Sequence, residues 1–323
     1  MMPTLDDILR QRWRSAVEIL AHEIFAQTNS CADANFYDEV AESISPLSQK
    51  WLEIVTTLYS EPHRAYHNMT HVQDVFNSLD FLLEDCYNYE SSSTQQFSYH
   101  SQKSVDYAIM TLAAFFHDVI YDPKSATNEK DSSELFLKFA SELECLIYSS
   151  FEGVLGNHDH CKQDHNVKRK VAMVTRVEEC IIATATHTKS SAIAYESGDR
   201  LMATFLDADM SVLGKKEELY DLYAEAIRKE YGFVEREIYC SKRANILASF
   251  LPLSESETDS AESGERISTS EEGRLGKVVV SAETKRRAYI FATEKGREMW
   301  EDSALKNLTR EIQMLRRSEI PYE

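Results

Sequence analysis

The sequence predicts an all-α protein, one helical bundle interrupted by polar loop insertions. Three observations carry that expectation. Apolar residues recur at helical spacing in one stretch after another. No alternating apolar–polar run of the strand type extends for any length. Only nine glycines punctuate 323 residues.

Taken in order, Leu5 to Gln27 places Ile8, Trp13, Val17, Leu20 and Ile24 on one helical face. Trp51, Ile54, Val55 and Leu58 mark a second helix, ending near Pro62, and a third is expected from about His63 to Leu83. Tyr87 to Lys103 is polar and reads as a loop. Val105 to Phe116 is apolar on more than one face, the pattern of a buried helix. Pro123 marks a turn, and Leu135, Phe139 and Leu143 carry the next helix, Glu129 to Glu144. Glu152 to Lys170 is a polar insertion. Its His158, His160, Cys161 and His165 lack the two-cysteine spacing of a zinc finger and read as surface residues. Val171 to Ala185 is apolar-rich and leads to His187. Leu219 to Leu251 reads as two helices broken near Tyr231-Gly232. Ser254 to Lys277 is rich in Ser, Glu, Thr and Gly and is expected to be a mobile insertion, since it cannot offset the entropy of ordering. Leu305, Leu308, Ile312 and Leu315 define a last helix, within about 286–315, that packs back on the body. The expectation is thus one domain over 1–323, with its core in about 50–251 plus that last helix.

Composition narrows the function classes. Hydrophobic residues make up 43% of the chain, enough for a large core, and the net charge is −19. That charge disfavours a nucleic-acid polymer as partner, because such binding needs clustered Lys and Arg. It leaves room for a small phosphorylated substrate, since a bound cation reverses the local field. The six cysteines are scattered without CxxC spacing, so neither a zinc ribbon nor a disulfide framework is expected. The amino-terminal stretch lacks the apolar core of a signal peptide, and no apolar run reaches membrane-spanning length. A cytoplasmic protein with no membrane partner is the expectation; no oligomeric state is implied.

The chemistry-bearing residues come from three separate apolar contexts. His67 and His71 are four residues apart, on one face of the third predicted helix. His117 and Asp118 lie on the buried helix, at its end. Asp207 and Asp209 sit in the apolar run from Phe205 to Leu213. Buried charges are paired or coordinate metals, and a mixed nitrogen and oxygen donor set suits a divalent cation better than a thiolate zinc site does. The donor types admit Mn, Mg, Fe, Co, Ni or Zn alike.

The order His … His-Asp … Asp resembles the signature of the HD-domain metal-dependent phosphohydrolases. Pro62 to Val72, Phe116 to Asp122, Asn128-Glu129, Leu206 to Asp209, Ile227 to Tyr231 and Asn307 to Ile312 are similar to the branch known as predicted metal-dependent HD phosphohydrolases, over roughly residues 50–315. The resemblance implies a single HD-type helical domain in which His71, His117, Asp118 and Asp209 ligate the metal. Asp209 is preferred over Asp207 because the family's ligand aligns with the second Asp of an Asp-x-Asp. His67 resembles the general acid of the cyclic-nucleotide phosphodiesterases, distant relatives that share the pattern Tyr66-His67-Asn68-x-x-His71. The chain departs from those relatives at Val119-Ile120-Tyr121, which lacks their next histidine. Glu129 resembles a carboxylate that orients or deprotonates the attacking water in several HD enzymes. Arg64 is a candidate phosphate clamp through its planar fork, with Arg228 and Arg243 behind it, and His187 a candidate for a substrate phosphate or a second metal.

The function implied is hydrolysis of a phosphate ester or anhydride, in a nucleotide or another small phosphorylated metabolite, by metal-activated water. The alternative is a non-catalytic metal- or nucleotide-binding regulatory protein of the same fold. A third reading, a di-iron oxygenase, needs more His and Asp ligands than the sequence places.

Overall fold

The computed structural model describes residues 5–26, 34–88, 102–151, 171–252 and 289–322. The chain builds α1 (Leu5–Ala26), α2 (Ala34–Leu58), α3 (Met69–Asn88), α4 (Gln102–Phe116), α5 (Asn128–Phe151) and α6 (Ala172–Ala183). After a 3₁₀ turn come α7 (His187–Ser197), α8 (Arg200–Asp209), a second 3₁₀ turn (Met210–Gly214), α9 (Glu217–Glu230) and α10 (Arg236–Phe250). The last segment is α11 (Glu294–Gly296), a π turn (Arg297–Glu301) and α12 (Asp302–Arg316). The described residues contain no strand, so the all-α expectation holds. No described helix is long and apolar enough to cross a membrane. The insertions at 152–170 and 254–277, with His158, His160, Cys161 and His165, lie outside the described residues.

α4 is the centre. From Ala108 to Phe116 every residue is buried, because α1, α3, α5, α6 and α8 all pack against it. Trp13 of α1 meets Phe115 edge-on at 5.2 Å and Phe139 of α5 at 5.4 Å, while its Nε1–H donates to Ser48 of α2. The ring burial supplies apolar area, and the indole N–H keeps a partner out of water. One cluster of buried residues runs from Leu9 to Ile320.

Three helix ends differ from the sequence expectation in ways that matter to the site. The third helix starts at Met69, not near His63, because the Asn68 carboxamide oxygen accepts from Thr70 N–H at 2.8 Å and caps it. His67 therefore lies in the turn before α3, and His71 in its first turn. α4 closes at Phe116, so His117 and Asp118 stand in the turn that leaves it. The second helix is longer than expected and runs through Pro46.

α7 and α8 form an antiparallel pair of 11 and 10 residues. Gly198, at φ +71°, makes the left-handed reversal between them, a conformation that a side chain disfavours. Because the two helices are nearly equal in length, the first residue of α7, His187, returns beside the last residue of α8, Asp209.

The closing segment is held by buried carboxylates. Asp207 accepts from Ala292 N–H at 2.8 Å, from Thr293 N–H at 2.7 Å and from the Thr293 hydroxyl at 2.7 Å. Glu301 accepts from Ile290 N–H and Phe291 N–H. Glu311 of α12 takes Tyr220 O–H from α9 and Arg243 Nε–H from α10. The last helix thus packs back on the body, as its apolar spacing predicts. Asp207→Ala leaves three donors without an acceptor and is expected to cost about 3 kcal/mol or more, read as a lower urea midpoint.

Candidate metal centre

Four ionisable side chains converge where α3 begins and where α4 and α8 end. His71 Nε2 and His117 Nε2 are 3.0 Å apart. Asp118 Oδ2 lies 3.1 Å from His117 Nε2 and 3.6 Å from His71 Nε2. Asp209 Oδ1 lies 3.2 Å from His71 Nε2 and 3.5 Å from His117 Nε2. His71, His117 and Asp118 form a group whose donor atoms lie within 4.8 Å of one another and could hold a metal ion. Donors bound at about 2.1 Å to one cation stand about 3.0 Å apart on an octahedral edge and about 3.4 Å on a tetrahedral one. Three of the observed spacings, 3.0, 3.1 and 3.2 Å, fall in that range, and the other two, 3.5 and 3.6 Å, lie just above it.

Proton positions point the same way. His117 Nδ1–H donates to Ala114 O at 2.9 Å, which leaves Nε2 as a lone pair aimed at the group. That lone pair faces a second imidazole nitrogen and two carboxylate oxygens, a repulsive set unless a proton or a cation sits among them. His71 Nδ1 is buried without a partner, so the state of that ring is decided at Nε2.

The electrostatics record the same demand. Burial pushes the His117 pKa down, but the Asp118 and Asp209 carboxylates override it and hold it well above the ordinary value. His71 is raised too, by hydrogen bonds to Asp118 and Asp209 working against burial. Burial pushes Asp118 and Asp209 up, and the facing imidazoles, His117 foremost, bring both well below the ordinary carboxylate range. In the metal-free protein, protons supply the positive charge that the carboxylates require.

Of the remaining candidates, His67 stands beside the group. Its Nε2 is 3.9 Å from Asp118 Oδ2, and its Nδ1 is 2.6 Å from Glu230 Oε2. Glu230, the last residue of α9, also accepts from Tyr66 N–H at 2.7 Å, His67 N–H at 2.9 Å and Tyr121 O–H at 2.8 Å. Burial alone would raise the Glu230 pKa; the hydrogen bond and charge of His67, with the backbone N–H donors, bring it to about 2. Tyr121 also covers one face of His67, with ring centroids 4.2 Å apart. His187 Nε2 lies 2.7 Å from Asp209 Oδ2, the oxygen turned away from the two imidazoles. Asp207 belongs to the anchor described above and not to this group.

Arg64 is a correction. Its side chain is fully buried, and its guanidinium donates to the carbonyls of His67 (3.1 Å), Asp118 (2.7 Å) and Val119 (2.9 Å), and to Glu61 (3.0 Å). A fork committed to three carbonyls and a carboxylate is not a phosphate clamp; it fixes the two turns that carry His67 and Asp118. Arg228 is likewise committed, to the carbonyls of Tyr231 and Val234, and Arg243 to Glu311 and Tyr223. Glu129 is half-buried in the first turn of α5 and makes no hydrogen bond or ion pair among the described residues. Sequence reasoning missed Glu230 and the hydroxyl of Tyr121, although both lie in stretches that carry the family resemblance. Glu230 is 163 residues from His67, a separation at which no local pattern operates.

In the comparisons with known proteins, no family model, curated protein or solved structure matches this chain.

Metal uptake is expected to depend on pH with a definite sign. Imidazoles whose pKa values are raised keep their protons further into the neutral range, so an entering cation must displace them, and uptake weakens as pH falls. Titration calorimetry with Mn²⁺ in buffers of different ionisation enthalpy reads the released protons. His117→Ala or Asp118→Ala is expected to abolish uptake; retention of metal by both variants would remove the centre from this location.

Proposed function

We propose that this chain is a metal-dependent phosphohydrolase of the HD type, cleaving a phosphate ester or anhydride of a nucleotide or another small phosphorylated metabolite. The observation that carries the reading is the placement of His67. Its Nδ1 is held by Glu230 at 2.6 Å, while its Nε2 is turned to the edge of the donor group, 3.9 Å from Asp118.

His71, His117, Asp118 and Asp209 would hold the divalent ion. When bound, such an ion supplies Lewis acidity toward water and toward phosphoryl oxygens. The chain's own residues supply the rest. Glu230 is anionic at neutral pH and accepts from Nδ1–H, so the other ring nitrogen, Nε2, is the one that carries the transferable proton. The carboxylate behind the ring also balances the positive charge that a doubly protonated imidazole bears. Tyr121 closes one ring face, and Arg64 fixes the backbone of His67 itself, so the imidazole is held in orientation before a substrate arrives. The His67 side chain is 19% exposed and that of Asp118 17%, so Nε2 lies at the surface-accessible rim of the centre. From there Nε2–H reaches the oxygen of a departing group.

Turnover across a panel of phosphate esters and nucleoside mono-, di- and triphosphates, with Mn²⁺, Mg²⁺, Co²⁺ and Fe²⁺ in turn, tests the reading. His67→Ala is expected to keep metal and lower turnover by about 10²–10⁴ on alkyl esters. On 4-nitrophenyl esters, whose leaving group departs without a proton, the loss should be small. An equal loss on both classes would remove His67 as the acid. Metal-loaded protein silent on the whole panel would favour the regulatory alternative.

A further inference from the structure

A cavity of about 560 Å³ is lined by Leu58, His63, Tyr121, Lys124, Glu230 and Phe233. None of the four metal donors lines it. Two of the residues that line it, Tyr121 and Glu230, also hold His67, Glu230 through a side chain that is fully enclosed.

We infer that this cavity is a binding site for a planar heteroaromatic ring, and that its occupant bears on His67 through Tyr121. Phe233 is 51% exposed, an unusual position for so large an apolar ring. It stacks on Tyr231 at 6.0 Å, and Lys124 Nζ stands 4.8 Å from its centroid. The Lys124 ammonium has no carboxylate partner among the described residues. An exposed lysine of this kind moves from a ring face to a hydrogen-bond acceptor on an incoming ligand at little cost.

On the opposite wall, the His63 ring runs within 11° of parallel to Tyr121, and its Nε2–H donates to Tyr121 O at 2.9 Å. The same nitrogen lies 3.9 Å from Glu61 Oε2, and Nδ1 makes no hydrogen bond among the described residues, which leaves it as an acceptor. The carboxylates on the wall are already matched: Glu230 to His67, Glu61 to Arg64, and Asp122 to the backbone N–H of Lys124. What is left open is aromatic surface, one movable donor and one acceptor. That combination selects a flat ring bearing both acceptor and donor atoms over an aliphatic or multiply charged ligand. The size suits a ring system of one or two fused rings with a substituent.

The route to His67 is short. Tyr121 presents its ring to His67 at 4.2 Å and its hydroxyl to Glu230 Oε2 at 2.8 Å, the same oxygen that holds His67 Nδ1. A ring that binds beside Tyr121 changes the surroundings of the side chain that covers His67 and donates to Glu230. This coupling matters to turnover only on the reading of His67 as proton donor, but binding in the cavity does not depend on it.

Adenosine is the probe, because it carries the ring and no phosphate. In the full-length protein, adenosine is expected to bind in calorimetry and to shift the His67 ring resonances in NMR. Phe233→Ser, at a half-exposed position that the fold tolerates, should weaken binding about tenfold, and Phe233→Tyr should retain it. Removal of metal by EDTA should leave binding unchanged. Absence of binding at millimolar adenosine, equal binding by Phe233→Ser, or loss of binding with EDTA would each overturn the site. Binding that leaves the His67 resonances in place would overturn the coupling. Since no readout uses hydrolysis, these failures are distinguishable from failure of the phosphohydrolase reading.

Discussion

Two imidazoles and two carboxylates meet at the edge of the apolar core, with His117 and His71 at 1% and 3% side-chain exposure. With both rings neutral, the set carries two negative charges that water screens only in part, at the rim. Burying such charge is costly unless a counter-charge is placed within contact distance. No Lys or Arg side chain pairs with Asp118 or Asp209 among the described residues; their partners are histidines. The positive charge must therefore come from protons or from a cation, and the raised imidazole and lowered carboxylate pKa values express that need. Much of the surrounding architecture can be understood as holding this arrangement against its own repulsion.

The supports act on backbone as much as on side chains. Ala114 O fixes the His117 tautomer from within the last turn of α4. Arg64 ties the turn of His67 to the turn of Asp118 through three carbonyls, and its guanidinium lies between the rings of Tyr59 and Tyr121 at 5.1 and 5.5 Å. A lysine, with a point charge in place of a planar fork, would not span those acceptors. Glu230 binds two successive backbone N–H groups and the His67 ring at once, so the end of α9 and the turn before α3 are closed on each other. An imidazole at such a junction has few rotamers open to it. That preorganisation is what separates a proton donor from a surface histidine.

The fold class and the donor set were legible in the sequence for the same physical reason: both depend on contrast. Helical spacing of Trp13, Val17, Leu20 and Ile24, or of Leu305, Leu308 and Ile312, is visible against polar neighbours, and all are buried on the expected face apart from the half-buried Leu305. His117 and Asp118 stood out because ten or more apolar residues precede them. The break between α9 and α10 at Tyr231-Gly232 was likewise marked locally. The role of Arg64 was not legible. An Arg in a polar turn looks the same whether its fork reaches solvent, a phosphate or three carbonyls, and those carbonyls belong to residues up to 55 positions away. Helix ends were also hard to read, since one side-chain cap at Asn68 decided that His67 lies outside α3.

Asp207 and Asp209 show how little separates an anchor from a site. Two steps along a helix turn a side chain by about 200°, so the two carboxylates at the end of α8 face opposite ways. Asp209 turns to the imidazoles and to His187. Asp207 turns to the backbone of Ala292 and Thr293, and Gly296 packs so close that a Cβ there would meet Asp207 Oδ2 at 2.7 Å. The end of α8 is thus pinned on one side by the closing segment of the chain and on the other by the donor group. A shift of that segment cannot be absorbed between residues 207 and 209, because a helical turn has no slack at that length. The closing segment is for this reason part of the frame that sets Asp209, although none of its residues reaches the centre.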